Sequence, residues 1–128
     1  MSATQVIDRE LDRLENLWGE GLQDAYRSYL GAVGAYESDR GPKLALAAAL
    51  IEVGIGLHGL GGRAAPPATL LMGDLCLARS SRLLADVAPQ RLQVAFARAV
   101  QDMAAAAASE SAVPAPRELL LRAFEAAR

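Results

Sequence analysis

Apolar residues recur at spacings of three and four along most of the chain, which is the periodicity of amphipathic helices. Alternation with period two, the pattern of strands, never extends far, and β-branched residues are scarce. Two helices are therefore predicted before residue 34, separated by an interruption at Gly19 and Gly21. The apolar stripe of the first comprises Ile7, Leu11, Leu14 and Trp18. The inward residues of the second are Leu22, Ala25, Tyr26, Tyr29, Leu30 and Val33.

The segment from Pro42 to His58 predicts a helix of another kind, because apolar residues surround it in LALAAALIEVGIGL. Such a helix lies at the centre of a bundle. Pro42 suits its first turn, and the glycines that follow His58 end it. Glu52 and several glycines interrupt the apolar run, and a membrane span needs about 20 mostly uncharged residues. We therefore expect a buried helix and not a transmembrane protein.

Three further helices follow. One is predicted from Pro67 to Asp86, and Ala88-Pro89 ends it. The next has its inward face at Leu92, Phe96, Ala99, Val100, Met103 and Ala107. A final short helix would place Leu120 and Phe124 inward. The sequence thus predicts a single all-α domain over residues 1–128, a bundle of five or six mostly antiparallel helices.

Composition narrows the class of protein. The 128 residues are 52 % hydrophobic and 22 % charged, which is typical of a globular chain. The net charge of −2 argues against a nucleic-acid binder, which normally carries a basic excess. One cysteine permits no internal disulfide, and the N-terminal sequence is too polar for a secretory signal. A cytoplasmic location is expected.

Candidate chemistry is sparse. One histidine and one cysteine cannot supply the four ligands of a zinc site. Cys76 lies in a predicted buried helix, where burial raises a thiol pKa and makes the thiol inert. The glycines at 59–62 do not form a phosphate loop, because no Lys-Ser pair follows them and no strand precedes them.

Two segments together resemble the trans-isoprenyl diphosphate synthases, also called polyprenyl synthetases. In that family a helix with a pattern like LAAALELIHTASLIHDD delivers an aspartate-rich motif, and the helix after the next loop opens with a Gly-Asp pair. Here LALAAALIEVGIGLHGL is similar to the first helix, with His58 on the histidine before the aspartates. MGDLCLARSSRLLA is similar to the second, with Gly73-Asp74 on the Gly-Asp pair. The resemblance covers roughly residues 42–110.

The departures from the family pattern concern its chemistry. The family's DDxxD aspartates bind magnesium ions that hold the allylic diphosphate. This chain has Gly59 and Leu60 at the corresponding place. The upstream family motif GKRLRP supplies cations, whereas its counterpart here, GEGLQD at residues 19–24, offers acids and an amide. The second aspartate-rich motif belongs to the family's C-terminal half, which the resemblance does not reach.

The resemblance therefore implies the N-terminal half of the isoprenoid synthase fold without its catalysis. It is similar to the half-length, non-catalytic subunits of heterodimeric prenyl diphosphate synthases, which pack on a catalytic partner and influence product length. On this interpretation the chain has no catalytic, cofactor-binding or metal-binding residue, and magnesium belongs to the partner. A dimer with such a synthase, or with itself, is expected. The alternative is a homo-oligomeric helical protein that keeps the scaffold for a binding or assembly role.

Four residues are candidates for family-equivalent or interface positions: Glu52, His58, Asp74 and Arg79. Glu52 lies in the most apolar helix, so it either lines an interface or cavity or faces the bundle surface. His58 alternatively is a helix-end residue that bonds a carbonyl. Asp74 needs a partner if it is buried. Arg79 and Arg82 lie five and eight positions further on, and neither is ideally placed, so a helix cap or a bond across helices is an equal alternative.

Overall fold

The computed structural model describes residues 17–34, 39–59, 66–109 and 115–127. These residues form a helical bundle with five α-helices and no strand. A π-helical turn, Trp18–Leu22, leads into the first α-helix, and a 3-10 turn, Gly31–Val33, follows it. The α-helices are α1 (Gln23–Leu30), α2 (Gly41–His58), α3 (Pro67–Val87), α4 (Gln90–Ala108) and α5 (Pro116–Ala126).

Helix α2 is the centre of the bundle. Residues 47–51 are five successive buried positions, so the helix is covered around its whole circumference. Helix α3 packs most extensively against it, followed by α1, while α5 covers a smaller part. Pro42 occupies the first turn, and Gly59 ends the helix in the left-handed conformation with φ 67°. The prediction of a central helix is confirmed.

Length and composition alone would allow α2 to cross a membrane. Its mean hydropathy is 1.2 over 18 residues, and it is the one such helix in the described ranges. The same helix is 56 % buried inside the protein, which is the usual situation of a core helix.

Helices α2 and α3 approach closely where two glycines face each other. A Cβ added to Gly54 would lie 3.0 Å from Leu77 Cγ, 3.1 Å from the Gly73 carbonyl oxygen and 3.2 Å from Cys76 Cβ. A Cβ added to Gly73 would overlap the His58 ring. Any side chain here would push the two helices apart, so the glycines set the distance between them.

Helices α4 and α5 supply the other half of the core. The Phe96 and Phe124 rings meet edge to face with centroids 5.0 Å apart, and Tyr29 lies 6.2 Å from Phe124 on the other side. Tyr29 and Phe124 are fully buried and Phe96 is almost so. Leu120 and Phe124 face inward, as the sequence predicts. This aromatic contact joins α4 and α5 to α1.

Helix boundaries agree closely with the sequence pattern. The helix predicted over 42–58 is observed as Gly41–His58, and that predicted over 67–86 as Pro67–Val87. The breaks at 88–89 and after 108 are present. Bundle architecture and element order were therefore readable from periodicity and proline placement.

The inward face predicted for the second helix differs from the observed one at one position. Leu30, predicted to face inward, is 37 % exposed, whereas Tyr29 is buried. Neighbouring residues point about 100° apart on a helix, so only one of the two can face α2 squarely. Tyr26 is half-buried and packs against the core.

The predicted stripe at Ile7, Leu11 and Leu14 lies outside the described residues. At the predicted interruption, Gly21 has φ 119°, a conformation that other residues rarely adopt. The backbone from Trp18 to Leu22 is π-helical there. At the glycines, where the sequence predicts that the chain is interrupted or kinked, the backbone thus stays helical as a π-turn that runs directly into α1.

The close approach of α2 and α3 makes Gly54 sensitive to substitution. We expect Gly54→Ala to lower the free energy of unfolding by about 1–3 kcal/mol, because the added methyl meets backbone and Cβ atoms that cannot move freely. Gly56→Ala is the control on the same helix, since no atom lies within 4 Å of its added Cβ. It should raise stability by about 0.5–1 kcal/mol through helix propensity. Urea unfolding measures both, and equal effects would contradict the close approach.

Candidate functional site

The most polar group inside the bundle surrounds Glu52 on α2. The Tyr29 hydroxyl donates to Glu52 Oε1 at 2.8 Å. The Arg117 guanidinium binds both carboxylate oxygens, with Nε donating to Oε1 and Nη2 to Oε2, each at 2.9 Å. Arg117 Nη2 also donates to Asp24 Oδ2 at 3.1 Å. One cation thus bridges α1, α2 and α5; Tyr29, Glu52, Arg117 and Asp24 are called the Glu52 cluster below.

Each member of the Glu52 cluster is placed by its helix. Glu52 is 19 % exposed and lies on the side of α2 that faces α1 and α5. Arg117 is the second residue of α5, directly after Pro116, so the start of that helix carries the guanidinium to the carboxylate. Asp24, in the first turn of α1, is mostly exposed. Glu52 is thus paired with a cation and accepts three hydrogen bonds, which is what the burial of a carboxylate in an apolar helix requires.

Both proton donors of the cluster hold their protons firmly. Burial, and the negative charge and hydrogen bond of Glu52, raise the pKa of the Tyr29 phenol. The hydrogen bond to Glu52 likewise raises the pKa of the Arg117 guanidinium. Neither group loses its proton near neutral pH. Both therefore remain hydrogen-bond donors to the Glu52 carboxylate and compensate its burial.

His58 and Asp74 form a second polar pair, at the end of α2. His58 Nε2 lies 2.8 Å from Asp74 Oδ1 across the contact between α2 and α3. The Nε2 atom of His58 is buried. Its geometry toward the Asp74 carboxylate is that of a close polar contact and not that of an aligned hydrogen bond. The Asp74 side chain is 63 % exposed. Gly73 makes the pair possible, because a larger residue would occupy the space of the His58 ring.

The other candidate residues do not join either group. Arg79 is half-buried further along α3 and has no ion-pair partner among the described residues. Cys76 is fully buried, and burial raises the pKa of its thiol to about 11, as predicted. Within the described ranges no three His, Cys, Asp or Glu side chains gather as metal ligands.

A groove of about 450 Å³ lies between α3 and α4. Ile51, Leu84, Phe96 and Val100 provide apolar surface, and Ser81 is among its polar lining residues. At one end Gln93 Nε2 donates to the carbonyl oxygens of Leu84 and Ala88, which fixes the corner between the two helices. The groove shares no residue with the Glu52 cluster or the His58–Asp74 pair.

Sequence reasoning found Glu52, His58 and Asp74 but not the partners of Glu52. Tyr29 was expected in the core without a polar role, and neither Asp24 nor Arg117 was proposed as its partner. The signal was present in part, because a buried tyrosine hydroxyl and a buried carboxylate each require a partner. This requirement implies that a cation lies beside Glu52, but it does not identify which of the 13 lysines and arginines provides it.

Comparisons with known proteins give no match: no protein-family model, curated protein or solved structure is similar to this chain.

Arg117 should contribute more to the stability of the fold than Arg122 on the same helix. We expect Arg117→Ala to lower the free energy of unfolding by about 1–3 kcal/mol, because Glu52 loses two donors while it stays largely buried. Arg122 is exposed and pairs only with Glu118 one turn away on α5, so Arg122→Ala should change stability by about 0.5 kcal/mol or less. Chemical denaturation measures both.

A double-mutant cycle tests whether the cost of Arg117→Ala comes from the loss of its contact with Glu52. In a Glu52→Gln background Arg117→Ala should cost less, because the neutral amide needs no cation. Equal costs in the two backgrounds would show that Arg117 does not stabilise the fold through Glu52.

The Cys76 thiol should be protected in the folded protein. With its pKa raised from 9.0 to about 11, its thiolate fraction at pH 8 falls roughly 100-fold. We expect reaction with an aromatic disulfide reagent at least ~100-fold slower than in urea-unfolded protein. The raised pKa also contributes stability that is complete below the ordinary thiol pKa and is lost as the pH rises toward 11. A native rate equal to the unfolded rate would refute this placement.

Proposed function

We propose that this chain is a non-catalytic subunit of a prenyl diphosphate synthase. It packs on a catalytic partner and influences the chain length of the isoprenoid product. In this proposal its bundle corresponds to the N-terminal half of the isoprenoid synthase fold. The observation that carries the proposal is the packed unit of His58, Gly73 and Asp74 at the end of α2.

The unit supports the resemblance in a specific way. His58, Gly73 and Asp74 are residues on which the resemblance rests, and they belong to two separate segments of the sequence. They meet in space, with His58 Nε2 2.8 Å from Asp74 and the His58 ring against Gly73. Family-equivalent residues of consecutive helices would be expected to lie at one end of the helix pair, and these do.

The residues at the positions of the family's charged motifs support a role without catalysis. Where the family presents aspartates for magnesium, the sequence here continues with Gly59 and Leu60. Asp24, in the counterpart of the cationic family motif, is engaged by Arg117 of the same chain. Two phosphates need cations or bound metal in a site of this kind. The proposal therefore assigns magnesium and diphosphate binding to the partner subunit.

A second candidate is a self-associating helical protein with a binding or assembly role. In that case the groove between α3 and α4, which no charged residue lines, is a surface on which a second copy could pack. The solution mass of the purified chain alone distinguishes the two candidates.

The test is a reconstitution with a full-length synthase from the same organism that carries both aspartate-rich motifs. The isolated chain with isopentenyl diphosphate, an allylic primer and magnesium should form no product. Adding it to the synthase should give a complex and shift the product length. A chain that condenses the substrates by itself, or a synthase whose binding and products it leaves unchanged, contradicts the proposal.

Asp74→Asn separates a helper role from residual catalysis. A non-catalytic subunit does not use this carboxylate chemically, and its side chain is largely exposed. We expect the variant to keep the effect on product length within about twofold of wild type, since an exposed substitution costs little stability. Loss of product formation with an intact complex would place Asp74 in the chemistry.

A further inference from the structure

We propose that the outer side of α3 joins two copies of this chain through an antiparallel pair of helices. Helix α3 packs against α2, and no other described helix packs extensively on it. On its side away from α2, exposed residues recur at spacings of three and four, which places them on one stripe of the helix. This α3 stripe consists of Leu71, Asp74, Ala78, Arg82 and Ala85. The inference does not rest on the helper role, because the stripe is defined by the described residues alone.

The α3 stripe has three features that an ordinary solvent-facing helix side does not need. Leu71 is 63 % exposed, more than any other large hydrophobic residue in the described ranges. Arg82 is exposed and has no ion-pair partner among the described residues. Asp74 contacts His58 through Oδ1, yet its side chain is 63 % exposed, so the carboxylate can accept a further donor. A single exposed leucine is common on protein surfaces, and the order of the whole stripe is what indicates a partner.

The order of residues makes the α3 stripe complementary to itself. In an antiparallel pair with its two-fold axis at Ala78, each residue faces the one equally far beyond Ala78 on the other copy. Asp74 and Arg82 lie four positions before and after Ala78, so a carboxylate faces a guanidinium at two equivalent contacts. Leu71 and Ala85 lie seven positions before and after it, so a large side chain packs over a small one. Ala78 faces its own counterpart and allows the two helices to approach closely.

The charges also select the orientation of the two helices. In a two-fold symmetric dimer the same surface of both copies forms the contact, so that surface must complement itself. A parallel pair would place Asp74 against Asp74 and Arg82 against Arg82, which repel each other. The antiparallel pair replaces both repulsions by attractions. The occupant that the α3 stripe fits is therefore a second copy of this chain in the antiparallel orientation.

The experiment reverses one charge of the α3 stripe at a time. Asp74→Arg leaves two arginines on the stripe, and Arg82→Asp leaves two aspartates. Each variant alone places like charges opposite each other at both contacts, so its dimer Kd should rise at least ~30-fold. An equal mixture of the two variants restores opposite charges at both contacts, and the mixed dimer should form with a Kd within about threefold of wild type. Analytical ultracentrifugation over a concentration series measures the Kd.

The control makes the same change of charge away from the α3 stripe. Asp102→Arg lies at an exposed position of α4, and the Kd of its dimer should equal that of wild type. Circular dichroism and thermal unfolding show that each variant is folded, which matters most for Asp74→Arg because it removes the contact with His58.

Each outcome decides the inference. A wild-type chain that stays monomeric at every concentration overturns it and leaves the helper role intact. A dimer whose Kd neither stripe variant changes, or which Asp102→Arg alone weakens, has its contact elsewhere and also overturns it. Loss of both variant dimers without recovery in the mixture contradicts the antiparallel register. Recovery in the mixture supports the pairing and favours the self-associating candidate, unless the same dimer also changes the product length of the synthase.

Discussion

The contact between Glu52 and Arg117 is the constraint on which the rest of the structure depends. Glu52 is the one charged residue in the apolar stretch of α2, next to the fully covered residues 47–51. A carboxylate in such a position needs a cation and hydrogen-bond donors to offset the cost of its burial. The cation comes from α5, 65 residues further along the chain. The burial of this part of the central helix is therefore coupled to the docking of the last helix.

The same contact fixes how the aromatic core closes. When Arg117 reaches Glu52, the start of α5 is held over α1 and α2, and Phe124 is then packed between Tyr29 and Phe96. Tyr29 belongs to both systems, because its ring lies in the core and its hydroxyl donates to Glu52. The hydrogen bonds to Glu52 and the packing of the aromatic rings thus require the same position of α5. A sequence specifies one structure when its polar and apolar interactions agree in this way.

Periodicity and breaking residues predicted the helices well because both act locally. Pro42, Gly59 and the Ala88-Pro89 break determine where helices begin and end without reference to the rest of the fold. The candidate sites were predicted less completely, since they depend on which side chains meet across helices. The sequence shows that Glu52 is a charged residue in an apolar helix, but the docking angle of α5 determines which residue becomes its partner. The approach of Gly54 to Gly73 likewise arises only once α2 and α3 cross.

The polar groups that contact one another inside the bundle lie apart from the groove between α3 and α4. The charges of the Glu52 cluster are directed at one another, and the His58–Asp74 pair is packed against Gly73, so both groups are occupied within the chain. The groove between α3 and α4 has the opposite character, because no charged side chain lines it among the described residues and its exposed members are Ser81, Gln93, Ala97 and Gln101. Sequence motifs built on chemistry cannot find such a groove, because an alanine that lines a groove and an alanine elsewhere on the surface look the same until the helix is placed.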